Sequence, residues 1–323
     1  MALWTHVTRR VLFAVFALYL VMSITFGFIA LTADPKIALI AHGVATSAEG
    51  QRANASERAE MVREAISAYK EDRNLDEPVI KRYVRWMVDI TTFDWGESYS
   101  QNAPVTTVLA GALPRTLAYL GPALVVALLG GLGLGVYTAL HPGSLLAWLS
   151  TGGAYLAYGI PNYWLVLFAG VLGAEGYGNA FYDAAVFRHV VLPAGVLGAT
   201  LLAGQLRYAR AESREYVNTE FLKLVRAKGA SNRLIARHIL RNAALPLVSL
   251  FFADLLGVLV VEVFVLESIL SIDGIGTVGL AAIEDRDLPL ILGVAMVFAF
   301  AGIVGNLIQD LAYLALDPRV DSE

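Results

Sequence analysis

RYARAESREYVNTEFLKLVRAKGASNRLIARHILRNAALP, running from Arg207 to Pro246, is a polar island in an otherwise apolar chain. It holds nine of the 24 Lys and Arg residues against three acids, and long apolar segments flank it on both sides. Its pattern predicts a long helix, a Gly-Ala-Ser turn at Gly229 and a second helix that stops before Pro246. Gly229 can take the left-handed conformation that ends a helix, Ser231 can cap the next one, and Pro lacks the N–H that a helix interior needs. The island contains no ligand cluster, no nucleophile constellation and no phosphate loop.

The flanks explain where such an island sits. At 323 residues, 57% hydrophobic and 16% charged, the chain is too apolar for an ordinary soluble domain. No Asp, Glu, Lys or Arg occurs from Thr116 to Ala174, which is length enough for two membrane spans, and His141-Pro142-Gly143-Ser144 divides them as a tight turn. Six spans are expected: 11–31, 117–140, 145–172, 190–206, 247–266 and 288–309. The uncharged run after Arg9 and Arg10 is longer than a signal peptide's apolar region and is expected to remain as the first span. Arg9 and Arg10 favour the cytoplasm, so counting spans puts the island there too, as the positive-inside rule requires. The Ser271–Asp287 loop, with four acids and one Arg, then falls outside. The reading is an all-α membrane protein with both termini cytoplasmic. Residues 1–33 form the N-terminus and first span, 34–115 an extracytoplasmic region with short helices, and 116–323 a membrane core carrying the 207–246 loop. Gly130, Gly131, Gly133 and Gly135 in the second span are expected to let helices pack closely.

Within the polar region, Ser47 to Ser56 reads as irregular, with Ser56 capping a helix to about Tyr69. A further helix begins at Pro78 and places Val79, Tyr83, Trp86, Met87 and Ile90 on one face. Asn54-Ala55-Ser56 is a glycosylation sequon.

Catalytic chemistry finds little support. No HExxH, GxSxG or Walker pattern occurs, and the dipeptide Gly-Lys is absent, so a nucleotide-hydrolysing site is not expected in this chain. With no cysteine and five scattered histidines, no metal ligand set emerges. Asp254, Glu262 and Glu267 do stand out. Ionisable groups in a span cost several kcal/mol unless paired or hydrated, so each is a candidate for the translocation path or for a hydrogen-bonded interhelical anchor.

The run RAKGASNRLIARHILRNAALP resembles the cytoplasmic EAA loop of ABC-transporter permeases, specifically the peptide/nickel branch, whose Gly-to-Pro distance is longer than in the general motif. Arg237, His238, Arg241, Asn242, Leu245 and Pro246 fill that pattern here, and Arg210, Glu215 and Glu220 fit upstream. The resemblance extends to FDWGESYSQNAPVTTVLAGALPRTL before the second span, to Arg188-His189 with Leu192-Pro193, to Glu267 with Gly274-Ile275-Gly276, to Arg286-Asp287-Leu288-Pro289, and to Leu316-Asp317-Pro318-Arg319. It covers Arg9–Leu31 loosely and Phe93–Arg319 closely. Departures are Asp273 in place of the usual Pro, Lys223-Leu224-Val225 in place of a literal Glu-Ala-Ala, and Glu262 where a small residue is expected.

This resemblance implies an ABC type I importer permease fold in the multi-pass plasma membrane of a prokaryote. The implied role is a non-catalytic subunit carrying di- or oligopeptides, or nickel. Its partners would be a second permease in a heterodimer, two ATPase subunits that hold ATP and Mg, and an external substrate-binding protein; no cofactor is expected in this chain and no nucleic acid. Arg226, Ala227, Lys228, Gly229, Ala230, Ser231, Arg237, Arg241 and Pro246 would form the ATPase-docking element. The competing class is an ion-coupled secondary transporter in which Asp254 and Glu262 bind protons or sodium.

Overall fold

The structure, a computed structural model, describes residues 2–31, 34–174, 185–217, 219–257 and 261–316, and these are almost wholly helical. Two compact units are formed. One contains 1–14, 110–280 and 301–323; the other contains 15–109 and 281–300.

The smaller unit begins with the body of α1 (Ala2–Leu31). Four short helices follow: α2 (Pro35–Thr46), α3 (Ala48–Arg52), α4 (Ala55–Asp72) and α5 (Val79–Thr91). The 47–56 stretch is therefore not irregular. Asp34 and Ser47 cap α2 and α3. Asn54, and not Ser56, caps α4 in a capping box with Glu57: the Asn54 side chain accepts from the Glu57 N–H at 2.9 Å, and the Glu57 carboxylate accepts from the Asn54 N–H at 3.0 Å. Asn and Ser compete for that role two residues apart, and only Asn54 has a Glu three residues on. The apolar face of α5 is used as expected except at its start: Trp86, Met87 and Ile90 pack with Met22 and Met296, and Tyr83 packs on Phe26, whereas Val79 is exposed. A second tie is the Asp34 carboxylate, which accepts from the Tyr69 hydroxyl at 2.7 Å while capping α2.

Helix α6 (Val105–Leu140) runs through Pro114 and Pro122 and is 36 residues long, so it begins well before the expected span. In the larger unit Gly131 and Gly135 meet the backbone of α9 (Leu192–Val217) and Gly130 meets the Leu202 side chain, whereas Gly133 faces open space. A Cβ on Gly131 would lie 2.5 Å from that of Gln205. Close approach is what the glycine cluster was expected to permit.

Between α6 and α9 the third span is not straight. It consists of α7 (Leu145–Gly159) and α8 (Asn162–Ala174), bent by 94° at Ile160-Pro161. Proline cannot continue a helix through its missing N–H and disfavours helical geometry at the residue before it. A π-helical turn, Phe187–Val191, leads into α9. Most of the expected 173–189 loop lies outside the described residues.

Helix α9 carries the start of the polar island to Val217, and α10 (Glu220–Ala227) and α11 (Asn232–Gly257) continue it. Here one expectation fails: α11 does not stop at Pro246 but passes through it. Pro removes one intrahelical hydrogen bond, and helices in membrane proteins tolerate this where neighbouring groups re-satisfy the freed carbonyl. The fifth span also differs from 247–266. Helix α11 ends at Gly257, residues 258–260 lie outside the described residues, and an apolar pair follows. This pair is α12 (Val263–Leu270) and α13 (Ile275–Glu284), bent by 87°. The expected 271–287 loop is thus largely helix α13. The last helix is α14 (Leu288–Leu316). Among the described residues four helices are long and apolar enough to cross a membrane, or up to six spans if each bent pair counts as one.

Candidate functional site

The turn at Gly229 is built by backbone chemistry. Gly229 has φ 83°, the left-handed region that a side chain disfavours. Its N–H donates to Arg226 O at 2.9 Å and the Ala230 N–H donates to Val225 O at 3.3 Å, the two bonds of a Schellman cap. Ser231 Oγ then accepts from the Leu234 N–H at 3.4 Å, opening α11, and Thr219 Oγ1 accepts from the Leu222 N–H at 3.4 Å, opening α10. Both ends of α10 are thereby fixed.

What holds the turn to the larger unit is apolar. Leu222, Ile235 and Ile239 are buried with Val136 of α6, and Val225 and Ala230 pack against them. The opposite face is open. Arg226, Ala227, Lys228, Gly229, Ser231, Arg237 and Arg241 are exposed, Ala230 is half-buried, and the side chain of Pro246 lies outside the described residues. Among the described residues none of these cations forms an ion pair. Phe221 and Leu224 are 58% and 56% exposed on α10, beside the cations. The sequence reading missed these two. Their signal was the amphipathic pattern of α10, where Leu222 and Val225 complete the buried face and leave Phe221 and Leu224 on the other.

The three membrane acids separate. The side chain of Asp254 lies outside the described residues. Glu262 is half-buried just before α12. Glu267 is fully buried and saturated with donors: Oε1 accepts from Thr116 Oγ1 at 2.6 Å and from the Tyr119 hydroxyl at 2.9 Å, and Oε2 accepts from the Gly276 and Thr277 N–H groups at 2.7 and 3.2 Å. Thr116 Oγ1 also accepts from the Ile275 N–H at 2.9 Å. One carboxylate thus ties α12 to α6 and sits on the N-terminus of α13, where unpaired N–H groups and the helix dipole favour an anion. Glycine is required around it, because a Cβ on Gly274 would overlap the carboxylate and one on Gly276 would lie 2.7 Å from Val263 O. This geometry is that of the interhelical anchor, one of the two roles left open for Glu267. Asp273, at the position of the missing Pro, offers its carbonyl to Arg115 Nη1 at 3.0 Å.

A second buried acid, Asp287 in the smaller unit, entered the sequence analysis only within the Arg286-Asp287-Leu288-Pro289 resemblance and with no role assigned. Asp287 caps α14 through Oδ1, which accepts from the Leu290 N–H at 3.2 Å. Its Oδ2 accepts from Ser98 Oγ at 2.6 Å and from the N–H and Oγ of Ser100, each at 2.9 Å. Burial pushes its carboxyl upward, but the hydrogen bonds from Ser100, Ser98 and Tyr99 outweigh burial and hold it below the usual carboxylate range. Asp followed two residues later by Pro and then by an apolar run is a capping signature, so the signal was legible. Among the described residues no three His, Cys, Asp or Glu side chains gather into a metal site.

Comparison with known proteins puts these features in context. The profile of a family described as "Binding-protein-dependent transport system inner membrane component" matches residues 131–322. The chain is 31% identical over 270 residues to the dipeptide transport system permease protein DppB of Bacillus subtilis, covering 81% of this chain and 84% of that protein. It is 29% identical over 264 residues to the oligopeptide transport system permease protein AppB of the same organism, covering 78% and 83%. It is also 25% identical over 282 residues to the peptidoglycan transport system permease protein YejB of Agrobacterium fabrum, covering 80% and 77%.

Proposed function

This chain belongs to the family of binding-protein-dependent transport system inner membrane components, and we propose that it carries short peptides as a coupling subunit of an ATP-driven importer. It is a multi-pass component of the prokaryotic plasma membrane and a non-catalytic permease subunit. The relatives described above are named for dipeptides, oligopeptides and peptidoglycan, which favours peptides over nickel. Family membership removes the reading as a self-sufficient secondary transporter, since importers of this kind work with ATPase and substrate-binding partners.

The observation that carries the coupling role is the capped turn between α10 and α11, with its exposed cations and exposed Phe221 and Leu224. Topology alone calls for positive charge on one side of a membrane. It does not call for a Schellman-capped turn packed on α6. In this reading 207–246 is cytoplasmic, both termini are cytoplasmic and 34–115 faces outward. The turn docks in a groove of one of two ATPase subunits, with Arg226 and Lys228 meeting acids there. The ATPases hold ATP and Mg, and a second permease of similar fold completes the path as a heterodimer. Because α10 is fixed at both ends and continuous with the packing of α6, a push on the turn moves helices as rigid bodies. Asp254 and Glu262 are assigned to the translocation path, and Glu267 to holding its wall.

The test is uptake of labelled di- and oligopeptides into proteoliposomes carrying the assembled transporter and its external binding protein. Uptake is expected only with ATP, and not with a proton or sodium gradient alone. Gradient-driven uptake by this chain without ATPase subunits would overturn the reading.

A further inference from the structure

Where α9 leaves its apolar stretch, at Leu206, it meets α7 across a cavity of about 560 Å3. The cavity is lined by Thr151 and Tyr155 of α7 and by Leu206–Tyr208, Arg210, Ala211 and Arg214 of α9. Arg207, Arg210 and Arg214 recur at the three- and four-residue steps that bring side chains to one face of a helix. No acid lines the cavity: Glu212 and Glu215 of the same stretch are absent from its wall. Among the described residues none of the three arginines is ion-paired. Arg207 lies over the ring of Tyr158 at 4.7 Å. Arg210 donates through Nη1 to Thr151 Oγ1 at 2.5 Å, while its Nε is buried with no acceptor in the structure.

Three guanidiniums without a carboxylate, one of them with a buried unsatisfied donor, call for an anion with several acceptor oxygens. The level of the cavity indicates which anion. It lies at the polar end of a membrane helix, beside two tyrosines of the kind that settle at the headgroup level. On the face of α7 that lines the cavity, Trp148 and Tyr155 are 73% and 65% exposed, a largely apolar surface suited to acyl chains.

We propose that this cavity is a binding site for one anionic phospholipid, with its phosphate held by Arg207, Arg210 and Arg214 and its chains along α7. Basic pockets between membrane helices bind anionic headgroups in this way, and planar guanidiniums match phosphate oxygens in pairs. The site lies apart from the turn at Gly229, and its occupancy does not depend on what the transporter carries.

The test uses the full-length chain purified in mild detergent, exposed to equal amounts of phosphatidylglycerol and phosphatidylcholine and weighed by native mass spectrometry. One phosphatidylglycerol per chain is expected in preference to phosphatidylcholine. Arg207→Gln with Arg214→Gln should weaken its retention by about thirtyfold, the loss anticipated for two arginines at an anionic surface. Arg210 is left intact because it is packed against Thr151. Arg63→Gln with Lys81→Gln removes the same charge elsewhere and should leave retention unchanged. Equal retention of the two lipids, no loss in the Arg207/Arg214 double variant, or equal loss in the Arg63/Lys81 control would overturn the proposal. Displacement of the lipid by millimolar inorganic phosphate would overturn it as well, in favour of a free-anion site.

Discussion

Glu267 and Asp287 are buried carboxylates that do the same physical work, one in each unit. Each accepts hydrogen bonds at a helix N-terminus and from hydroxyls on a distant segment. Removing such an acceptor leaves its buried donors unsatisfied, a larger loss than the net worth of any one bond. Glu267→Ala is expected to lower the unfolding free energy by about 3 kcal/mol, the upper range for buried donors left without their acceptor. Glu267→Gln, which keeps one acceptor oxygen, should cost less. Thermal unfolding of the two variants in detergent checks this ordering, and equal effects would contradict it. Asp287 adds a pH dependence with a definite sign. Its folded-state pKa lies below that of the unfolded chain, so its contribution is present above pH about 3.9 and is lost as pH falls below that value. Asp287→Asn should therefore be less stable than wild type at pH 7, with the gap narrowing on acidification. A gap that widens would contradict the hydrogen-bond account. At this scale the sequence was legible where chemistry is local. The capping roles of Gly229 and Ser231 follow from residue type. The role of Glu267 required Thr116 and Tyr119, about 150 positions away in the chain, and no local pattern announces that meeting.

Helix α10 with its turn is the smallest element on which the proposed coupling depends. Its inner face is fixed by Leu222 and Val225, so changes on its outer face should spare the fold. Phe221→Ser with Leu224→Ser is expected to alter stability by less than about 0.5 kcal/mol for each substitution, as exposed positions do. Association with the ATPase subunits should nevertheless weaken. Co-purification of the subunits measures this, and undiminished association would remove these two residues from the interface. The elements read least well from sequence are those that bend. Hydropathy reports how long an apolar stretch is but not its direction, so the 94° break at Pro161 and the 87° bend before Ile275 were both counted as continuous chain or loop. Pro246 was misread in the opposite sense. It was taken as a stop because in a water-exposed helix the lost hydrogen bond and steric clash are decisive, whereas α11 continues through it.

At the scale of the whole molecule, the all-α membrane fold was legible because the bilayer admits so few backbone solutions. Apolar stretches must close their hydrogen bonds internally, and charge must sit between them. The division into two compact units was not legible, since α1, α6, α13 and α14 each contribute to both, and an apolar run carries no mark where its packing partner changes. The central claim is that the chain lacks its own energy source and receives work through the turn at Gly229. Proline cannot adopt φ 83°, and it also removes the N–H that donates to Arg226 O. The most direct measurement is ATP hydrolysis and peptide uptake in the same proteoliposomes, with Gly229→Pro in an otherwise intact transporter. The account predicts an inserted, assembled complex that still hydrolyses ATP but no longer accumulates peptide. An unchanged ratio of uptake to hydrolysis would contradict it.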